Sequence, residues 1–213
     1  MRAAARIAIV DYGMGNLRSV EKALEKVGAQ PAITRDITDI AVADGVILPG
    51  VGAFPAAMAN LCELGFEAPL RDRVDAGRPV LGICLGYQLL FERSSELGGA
   101  EGLGFLPGPV EPLEAPGLKV PHIGWAPARV EGESDLLAGL GREPAFYFVH
   151  SFAPRPADAG DLLATAEYGT RFACSVQRGS LFGVQFHPEK SSTAGLRLLA
   201  NFAALCVRDG APV

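Results

Sequence analysis

The sequence predicts an α/β fold: a mostly parallel central sheet flanked by helices on both faces, with an added mixed or antiparallel extension. Short continuous apolar runs over 7–10, 45–48 and 79–83 each lead through a Gly-containing turn into a segment with helical character. Repeated strand–turn–helix units generate parallel strands with helices on both faces. Beyond residue 94 the runs become shorter and Gly and Pro become frequent, which indicates the extension.

Each strand-like run in the first half is followed by a predicted helix. Residues 16–28 carry apolar side chains at helical spacing, and Gly28 stands where a helix commonly ends. Two further helices are predicted over 54–64 and 85–93.

The second half is predicted to add short strands and one closing helix. The candidate strands cover residues 120–123, 145–149, 162–167, 172–177 and 181–186. The final helix, over 193–207, has its apolar residues on one face. Because the sequence contains no internal repeat and no convincing linker, residues 1–213 are predicted to form a single domain.

Composition excludes several functional classes. Hydrophobic residues make up 49% of the chain and charged residues 20%, which is typical of a globular protein. The net charge of −5 and the absence of a Lys or Arg run argue against nucleic acid as a partner. No apolar run approaches the roughly 20 residues of a membrane helix, and the N-terminus lacks the apolar core of a signal peptide. We therefore expect a cytoplasmic protein without a membrane partner.

Neither a metal site nor a cofactor site is predicted. The four cysteines share no CxxC spacing, so each is by default a small buried apolar residue. They are Cys62, Cys84, Cys174 and Cys206. The segment 11–16 contains G-x-G, but Arg18 stands where a dinucleotide-binding loop has its third glycine.

The segment 82–86, Gly-Ile-Cys-Leu-Gly, places Cys84 between a predicted strand and a predicted helix. This matches the G-x-Nuc-x-G turn of hydrolases, with cysteine where serine is more common. The glycines are needed because larger side chains would collide with the strand and the helix. A helix N-terminus favours the thiolate, which is the reactive form. Cys84 is therefore a candidate nucleophile, with a buried structural cysteine as the alternative.

His187 ends an apolar strand and is followed by Pro188 and Glu189. In an extended segment, side chains two residues apart point the same way, so Glu189 can accept the proton on one imidazole nitrogen. The other nitrogen is then free to act as a base. A surface or capping histidine is the alternative, although the chain has only three histidines.

The loop Gly50-Val51-Gly52 forms another strand-to-helix turn. Its glycines let the backbone approach a ligand closely. Attack of a thiolate on an amide creates an oxyanion, which needs N–H donors from the residue after the nucleophile, Leu85, and from a neighbouring loop. A plain turn or a phosphate-binding nest is the alternative.

Segments 82–88 and 185–189 together resemble the class I (triad) glutamine amidotransferase family. Within it, four further segments resemble the subunits that deliver ammonia to a barrel-fold synthase of histidine biosynthesis. They are residues 11–19, 49–54, 121–125 and 146–151, and the similarity extends from residue 7 to about residue 205.

The resemblance implies a reaction and a partner. Cys84 would attack the side-chain amide of L-glutamine, His187 would move the proton and Glu189 would orient His187. Ammonia would then pass to the barrel-fold cyclase subunit of a heterodimer, which makes imidazole glycerol phosphate and aminoimidazole carboxamide ribotide. Val51 and Leu85 would donate to the oxyanion, and we hypothesise that the Gly50–Val51 peptide must first flip.

The resemblance also implies residues for binding substrate and partner. Those expected to hold glutamine are Gly50, Gly52, Gln88, Glu96, Ser151 and Phe152. Those expected near the partner are Asn16, Trp125, Tyr147 and Lys190, with core packing as the alternative for the two aromatic residues. Two positions depart from the family pattern: Ala126 replaces Asn, which would remove a polar interface contact, and Phe152 replaces Tyr.

Three other functions stay open at this point. The first is the glutaminase subunit of another synthase, such as one that makes anthranilate or aminodeoxychorismate. The second is a cysteine hydrolase that acts on γ-glutamyl peptides without transferring ammonia. The third is a binding module with an inactive triad, against which the complete set Cys84, His187 and Glu189 argues.

Overall fold

The computed structural model describes residues 4–209. Its strands are β1 (Arg6–Val10), β2 (Gln30–Thr34), β3 (Gly45–Gly50), β4 (Val80–Cys84), β5 (Phe91–Ser94), β6 (Ala100–Glu101), β7 (Leu106–Pro112), β8 (His122–Pro127), β9 (Arg129–Val130), β10 (Ala145–His150), β11 (Phe152–Pro154), β12 (Leu162–Tyr168), β13 (Thr170–Arg178) and β14 (Leu181–Val184). Its helices are α1 (Leu17–Lys26), α2 (Ile37–Val42), α3 (Phe54–Glu63), α4 (Glu67–Asp75), α5 (Leu85–Leu89) and α6 (Ser192–Asp209). The predicted domain, 1–213, extends beyond the described residues at both ends.

The central sheet has eight strands in the order β2-β1-β3-β4-β14-β13-β12-β9. The strands from β2 to β14 are parallel to their neighbours, whereas β13, β12 and β9 continue the sheet antiparallel. Two smaller sheets, β10-β8 and β11-β7-β5-β6, complete the extension. The predicted fold class is therefore confirmed.

Each face of the parallel strands packs against its own group of helices. On β1, Ile7 and Ile9 join an apolar cluster that includes α1 and α6, while Ala8 and Val10 join a second cluster that includes α3 and α4. All four side chains are at most 2% exposed. Because both faces are covered, the strand is apolar without alternation, as is usual for buried parallel strands.

One predicted helix is wrong in extent. The helix expected over 85–93 ends at Leu89, and residues 91–94 form β5 instead. The chain leaves the helix because β5 pairs with β7 in parallel and with β6 antiparallel. Pairing with β6 and β7 determines the structure of residues 91–94. Helical spacing in the sequence does not predict that pairing.

Candidate active site

The candidate site lies at the carboxyl ends of three neighbouring parallel strands, where open α/β sheets commonly bind ligands. In the register of the sheet, Gly50 at the end of β3 is opposite Cys84 at the end of β4. On the other side of β4, Ile83 pairs with Val184 of β14. The chain continues from β14 to His187, so all three predicted motifs meet at the carboxyl ends of these central strands.

Cys84 occupies a strained turn between β4 and α5. Its φ of 55° and ψ of −109° are unusual for a residue with a side chain, a strain that costs about 1–3 kcal/mol. A Cβ on Gly86 would lie 1.8 Å from the carbonyl oxygen of Leu48, and one on Gly82 would lie 2.7 Å from that of Gly86. Glycine is therefore required at both positions because backbone atoms approach so closely.

The thiol of Cys84 is nearly buried but borders an open cavity. Its side chain is 5% exposed. The sulfur lies 3.7 Å from the carbonyl oxygen of Val149 and 3.8 Å from Nε2 of Gln185. His187 lines the same cavity as Cys84, so the sulfur and the imidazole border one space.

The imidazole of His187 is fixed by Glu189. Nδ1 of His187 lies 2.8 Å from Oε1 of Glu189, so Nδ1–H donates and Nε2 is left toward the thiol. Burial lowers the pKa of His187, but its interactions with Cys84 and Glu189 outweigh this and raise the pKa to about 10. The raised pKa favours the protonated imidazolium form of His187 beside the Cys84 sulfur. Oε2 of Glu189 is buried and has no hydrogen-bond partner within residues 4–209.

Ser191 holds the backbone of His187 and was not singled out from the sequence. Its Oγ donates to the His187 carbonyl at 2.6 Å and accepts from the Tyr147 N–H at 3.0 Å. The His187 N–H donates to the Tyr147 carbonyl at 2.9 Å. The segment after β14 is thus tied to β10 by two hydrogen bonds, and the third holds the segment together internally.

A cavity of about 270 Å³ opens over Cys84 and His187. Seven residues predicted for the oxyanion or the substrate line it: Val51, Gly52, Leu85, Gln88, Glu96, Ser151 and Phe152. Lys190, predicted for the partner face, also lines the cavity. The sequence therefore predicted most of the wall.

Gly50 does not line the cavity but stands behind its wall. A Cβ at this position would lie 2.3 Å from the Tyr12 hydroxyl oxygen and 2.9 Å from Cβ of Leu85. Glycine here lets the end of β3 approach α5. Tyr12, which the sequence did not single out, donates its hydroxyl to the Pro49 carbonyl at 2.7 Å. Burial and the nearby Cys84 raise the pKa of Tyr12 far above its usual range, so it remains a donor.

Gln88 and Glu96 are each partly engaged by the protein. Nε2 of Gln88 donates to the Phe152 carbonyl at 2.9 Å and to Oε1 of Gln185 at 3.1 Å. One oxygen of Glu96 accepts from the Phe54 N–H at 2.8 Å. The amide oxygen of Gln88 and the second oxygen of Glu96 are left as acceptors that a ligand with an ammonium group can use.

Next to the cavity, β8 and β10 present an apolar surface that we call the β8–β10 face: Ile123, Trp125, Tyr147 and Val149. Trp125 pairs with Tyr147 across the ladder, and their ring centroids are 6.1 Å apart. Trp125 is 54% exposed and Ile123 60% exposed, so Trp125 is not a core residue. The sequence analysis missed Ile123. Asn16 and Lys190 are also exposed.

The expectation for Ala126 was wrong. Its side chain is 8% exposed and belongs to the apolar core on the opposite side of β8 from Trp125. Adjacent residues of a strand point to opposite faces, so Ala126 removes no polar contact from the β8–β10 face.

Two kinds of feature are absent from residues 4–209. No group of three or more His, Cys, Asp or Glu side chains is arranged to hold a metal ion. No helix in that range is both long and apolar enough to cross a membrane.

Comparison with known proteins agrees with this geometry. The family model for glutamine amidotransferase class-I matches residues 8–206. The imidazole glycerol phosphate synthase subunit HisH of Moorella thermoacetica is 53% identical over 204 residues, covering 96% of this chain and 97% of the relative. The HisH subunit of Rhodopirellula baltica is 50% identical over 200 residues, covering 92% and 96%.

Solved structures share the fold. A crystal structure of a glutamine amidotransferase aligns with a TM-score of 0.74 at 25% identity, covering 94% of this chain and 98% of that one. The glutaminase domain of a Trypanosoma brucei CTPS with bound acivicin aligns with a TM-score of 0.69 at 18% identity, covering 96% and 94%. The chain therefore belongs to the class I glutamine amidotransferase family and, within it, to the HisH subunits of imidazole glycerol phosphate synthase.

Proposed function

We propose that this chain hydrolyses L-glutamine to glutamate and ammonia and delivers the ammonia to a barrel-fold synthase subunit. That subunit would use it to make imidazole glycerol phosphate and aminoimidazole carboxamide ribotide in histidine biosynthesis. The observation that carries the proposal is the pairing of the Cys84 thiol with an imidazole braced by Glu189 in one cavity. The HisH relatives, at about 50% identity over nearly the whole chain, specify the synthase.

In the proposed reaction, the thiolate of Cys84 attacks the carbonyl carbon of the glutamine side-chain amide. The tetrahedral intermediate collapses as the imidazolium of His187 gives its proton to the departing nitrogen, which leaves as ammonia. Water, deprotonated by His187, then attacks the γ-glutamyl thioester. Glutamate leaves and the Cys84 sulfur is restored. Glu189 fixes the His187 tautomer throughout.

The oxyanion of each tetrahedral intermediate would accept hydrogen bonds from the N–H groups of Leu85 and Val51. Leu85 is the first residue of α5, so its N–H has no acceptor within the helix. Val51 borders the cavity beside Gly52, whose φ of +111° favours glycine. We propose that the Gly50–Val51 peptide turns its N–H toward the cavity when the partner subunit binds.

The substrate would be held by its charged end, away from the reacting amide. The free acceptor atoms of Gln88 and Glu96 suit its ammonium group, and the part-buried Glu96–Phe54 hydrogen bond holds that carboxylate in place. Ser151, Phe152 and Gly52 complete the proposed glutamine site, because all three line the same cavity.

The partner subunit would cover the β8–β10 face. Val149 belongs to that face and also lines the cavity, and Lys190 and Pro121 lie at the cavity wall beside it. Ammonia released at Cys84 would therefore leave toward a covered surface. Asn16 and Lys190 are proposed as polar contacts around the apolar residues. We propose that the heterodimer is cytoplasmic, because the free cysteines of the chain suit a reducing compartment.

The test is glutamine hydrolysis with and without the barrel-fold subunit and its nucleotide ligand. We expect wild type to be strongly stimulated by the liganded partner and Cys84→Ala to have no turnover. Cys174→Ala is the matched control, because the Cys174 side chain is also buried but does not line the cavity. Turnover by Cys84→Ala would overturn the nucleophile.

Two outcomes would favour the alternative functions. Stimulation by a chorismate-converting enzyme in place of the barrel-fold subunit would assign the chain to a different synthase. Full-rate hydrolysis of γ-glutamyl peptides to glutamate and the leaving amino acid or peptide, by the isolated chain, would indicate a hydrolase that transfers no ammonia.

A further inference from the structure

Gln185 lies beside the sulfur of Cys84 and has no part in the reaction scheme above. It follows β14, and its side chain is fully buried. Its Nε2 is 3.8 Å from the Cys84 sulfur, and its Oε1 accepts from Nε2 of Gln88 at 3.1 Å. Its backbone N–H donates to the Cys174 carbonyl of β13 at 2.9 Å, which fixes the point from which the side chain extends.

A backbone carbonyl determines which way the two amide side chains face. Nε2 of Gln88 donates to the Phe152 carbonyl at 2.9 Å, and a carbonyl oxygen only accepts. His150 Nδ1 lies 2.9 Å from the same oxygen, and burial lowers the pKa of His150 to about 4, so a neutral ring donates there. Gln88 therefore presents its NH2 group to Gln185. Gln185 must turn its oxygen to Gln88 and its own NH2 group to the sulfur.

We propose that Gln185 is a positioning residue for Cys84: it donates an N–H to the thiolate, and Gln88 holds its amide in that orientation. The inference rests on the proposed role of Cys84 as nucleophile. A hydrogen bond to an anion is stronger than one to a neutral group, so this donor favours the ionised sulfur. It also holds the sulfur at a fixed place in the cavity wall, opposite His187.

Other titratable groups lie in or beside the same cavity, and the test must separate their effects from that of Gln185. Tyr12 follows β1, His150 ends β10, and Glu96 lies between β5 and β6. The segment after β14 contributes the other three, which are His187, Glu189 and Lys190. None of them is altered in the variants below.

Two variants remove the donor in different ways. Gln185→Met keeps a similar volume without an N–H, and Gln185→Glu keeps the shape while turning an acceptor oxygen toward the sulfur. The readout is the pH profile of Cys84 alkylation by iodoacetamide in the full chain. Because Cys62 is exposed and would also react, all variants carry Cys62→Ser.

We expect the midpoint of the alkylation profile to rise by about 1–2 pH units in Gln185→Met, the size of one charge-assisted hydrogen bond. The rise should be larger in Gln185→Glu. Gln30→Glu, on exposed β2, makes the same charge change far from the cavity and should leave the profile unchanged. Should Gln185→Glu fail to fold, Gln185→Met carries the test, with its fold checked by thermal melting.

The outcomes separate this inference from the proposed function. A folded Gln185→Met with the wild-type profile would refute the positioning role while leaving Cys84 as nucleophile. Turnover by Cys84→Ala with the liganded partner would refute the proposed function itself, whatever the profile of the Gln185 variants.

Discussion

Cys84 and His187 reach the same cavity from two segments that are held by different kinds of contact. The turn at Cys84 is fixed by close backbone packing, in which Gly82 and Gly86 leave no room for a Cβ. The segment at His187 is fixed by hydrogen bonds, chiefly through Ser191. A side chain added at a close backbone contact forces the backbone to move, whereas one hydrogen bond can be removed while the rest of the segment stays in place. Substitutions at the first segment should therefore cost the most stability, and those at the second should cost less stability and also change the chemistry.

The largest effect is expected for Gly86→Ala. Its Cβ would lie 1.8 Å from the Leu48 carbonyl oxygen, a backbone atom that cannot move aside without disturbing β3. We expect a loss of stability above about 4 kcal/mol, measured by urea unfolding, or failure to fold. Gly28→Ala is the matched control: a Cβ there meets nothing within 4 Å and only the φ of +86° is strained. It should cost about 1–2 kcal/mol. Equal losses in the two variants would contradict the packing explanation.

Ser191→Ala tests the hydrogen-bonded segment and should have the next largest effect. Removing Oγ breaks two hydrogen bonds: a buried one to the His187 carbonyl and a part-buried one from the Tyr147 N–H. We expect a stability loss of about 2–3 kcal/mol and a lower kcat at unchanged fold. Ser175→Ala is the control because Ser175 is equally buried and its Oγ has no partner within the described residues. That variant should be as stable as wild type, and a similar loss there would point to burial alone.

Glu189→Gln should change the pH behaviour of His187 with little effect on the fold. In the wild-type protein the pKa of His187 is raised to about 10, above the unfolded value of about 6.5. The resulting stability is thus fully present below pH 6.5 and is lost as pH rises through 10. Without the carboxylate the pKa should fall. NMR titration of the three ring signals tests this, because the pKa values of His122 and His150 are both lowered by burial. A His187 titration unchanged by Glu189→Gln would show that Glu189 does not control it.

The difference between the two segments also explains what the sequence could predict. The turn at Cys84 was readable because its glycines are two residues from the cysteine, and the pairing of His187 with Glu189 was readable because both lie on one short segment. Tyr12, Gln185 and Ser191 were missed because their partners, Pro49, Cys84 and Tyr147, are dozens of residues away. The true end of α5 was missed for the same reason, since β5 is defined by its pairing with β7. The spacing of residues in the sequence thus predicts contacts within a turn but not contacts between distant strands.

The smallest effect on the isolated chain is expected at the β8–β10 face, where Trp125 is neither buried in the core nor fixed by a buried hydrogen bond within residues 4–209. Trp125 is 54% exposed, so Trp125→Ala should change the free energy of unfolding by no more than about 0.5 kcal/mol. Its proposed role lies in the complex, where loss of an aromatic anchor should weaken binding of the barrel-fold subunit by about 2 kcal/mol or more. Ile37→Ala, on another exposed apolar side chain far from the cavity, should leave both quantities unchanged. Unaltered affinity in Trp125→Ala, measured by titration calorimetry, would move the partner away from the β8–β10 face. A stability loss without an affinity loss would instead indicate that Trp125 acts in packing within the chain and not in binding the partner.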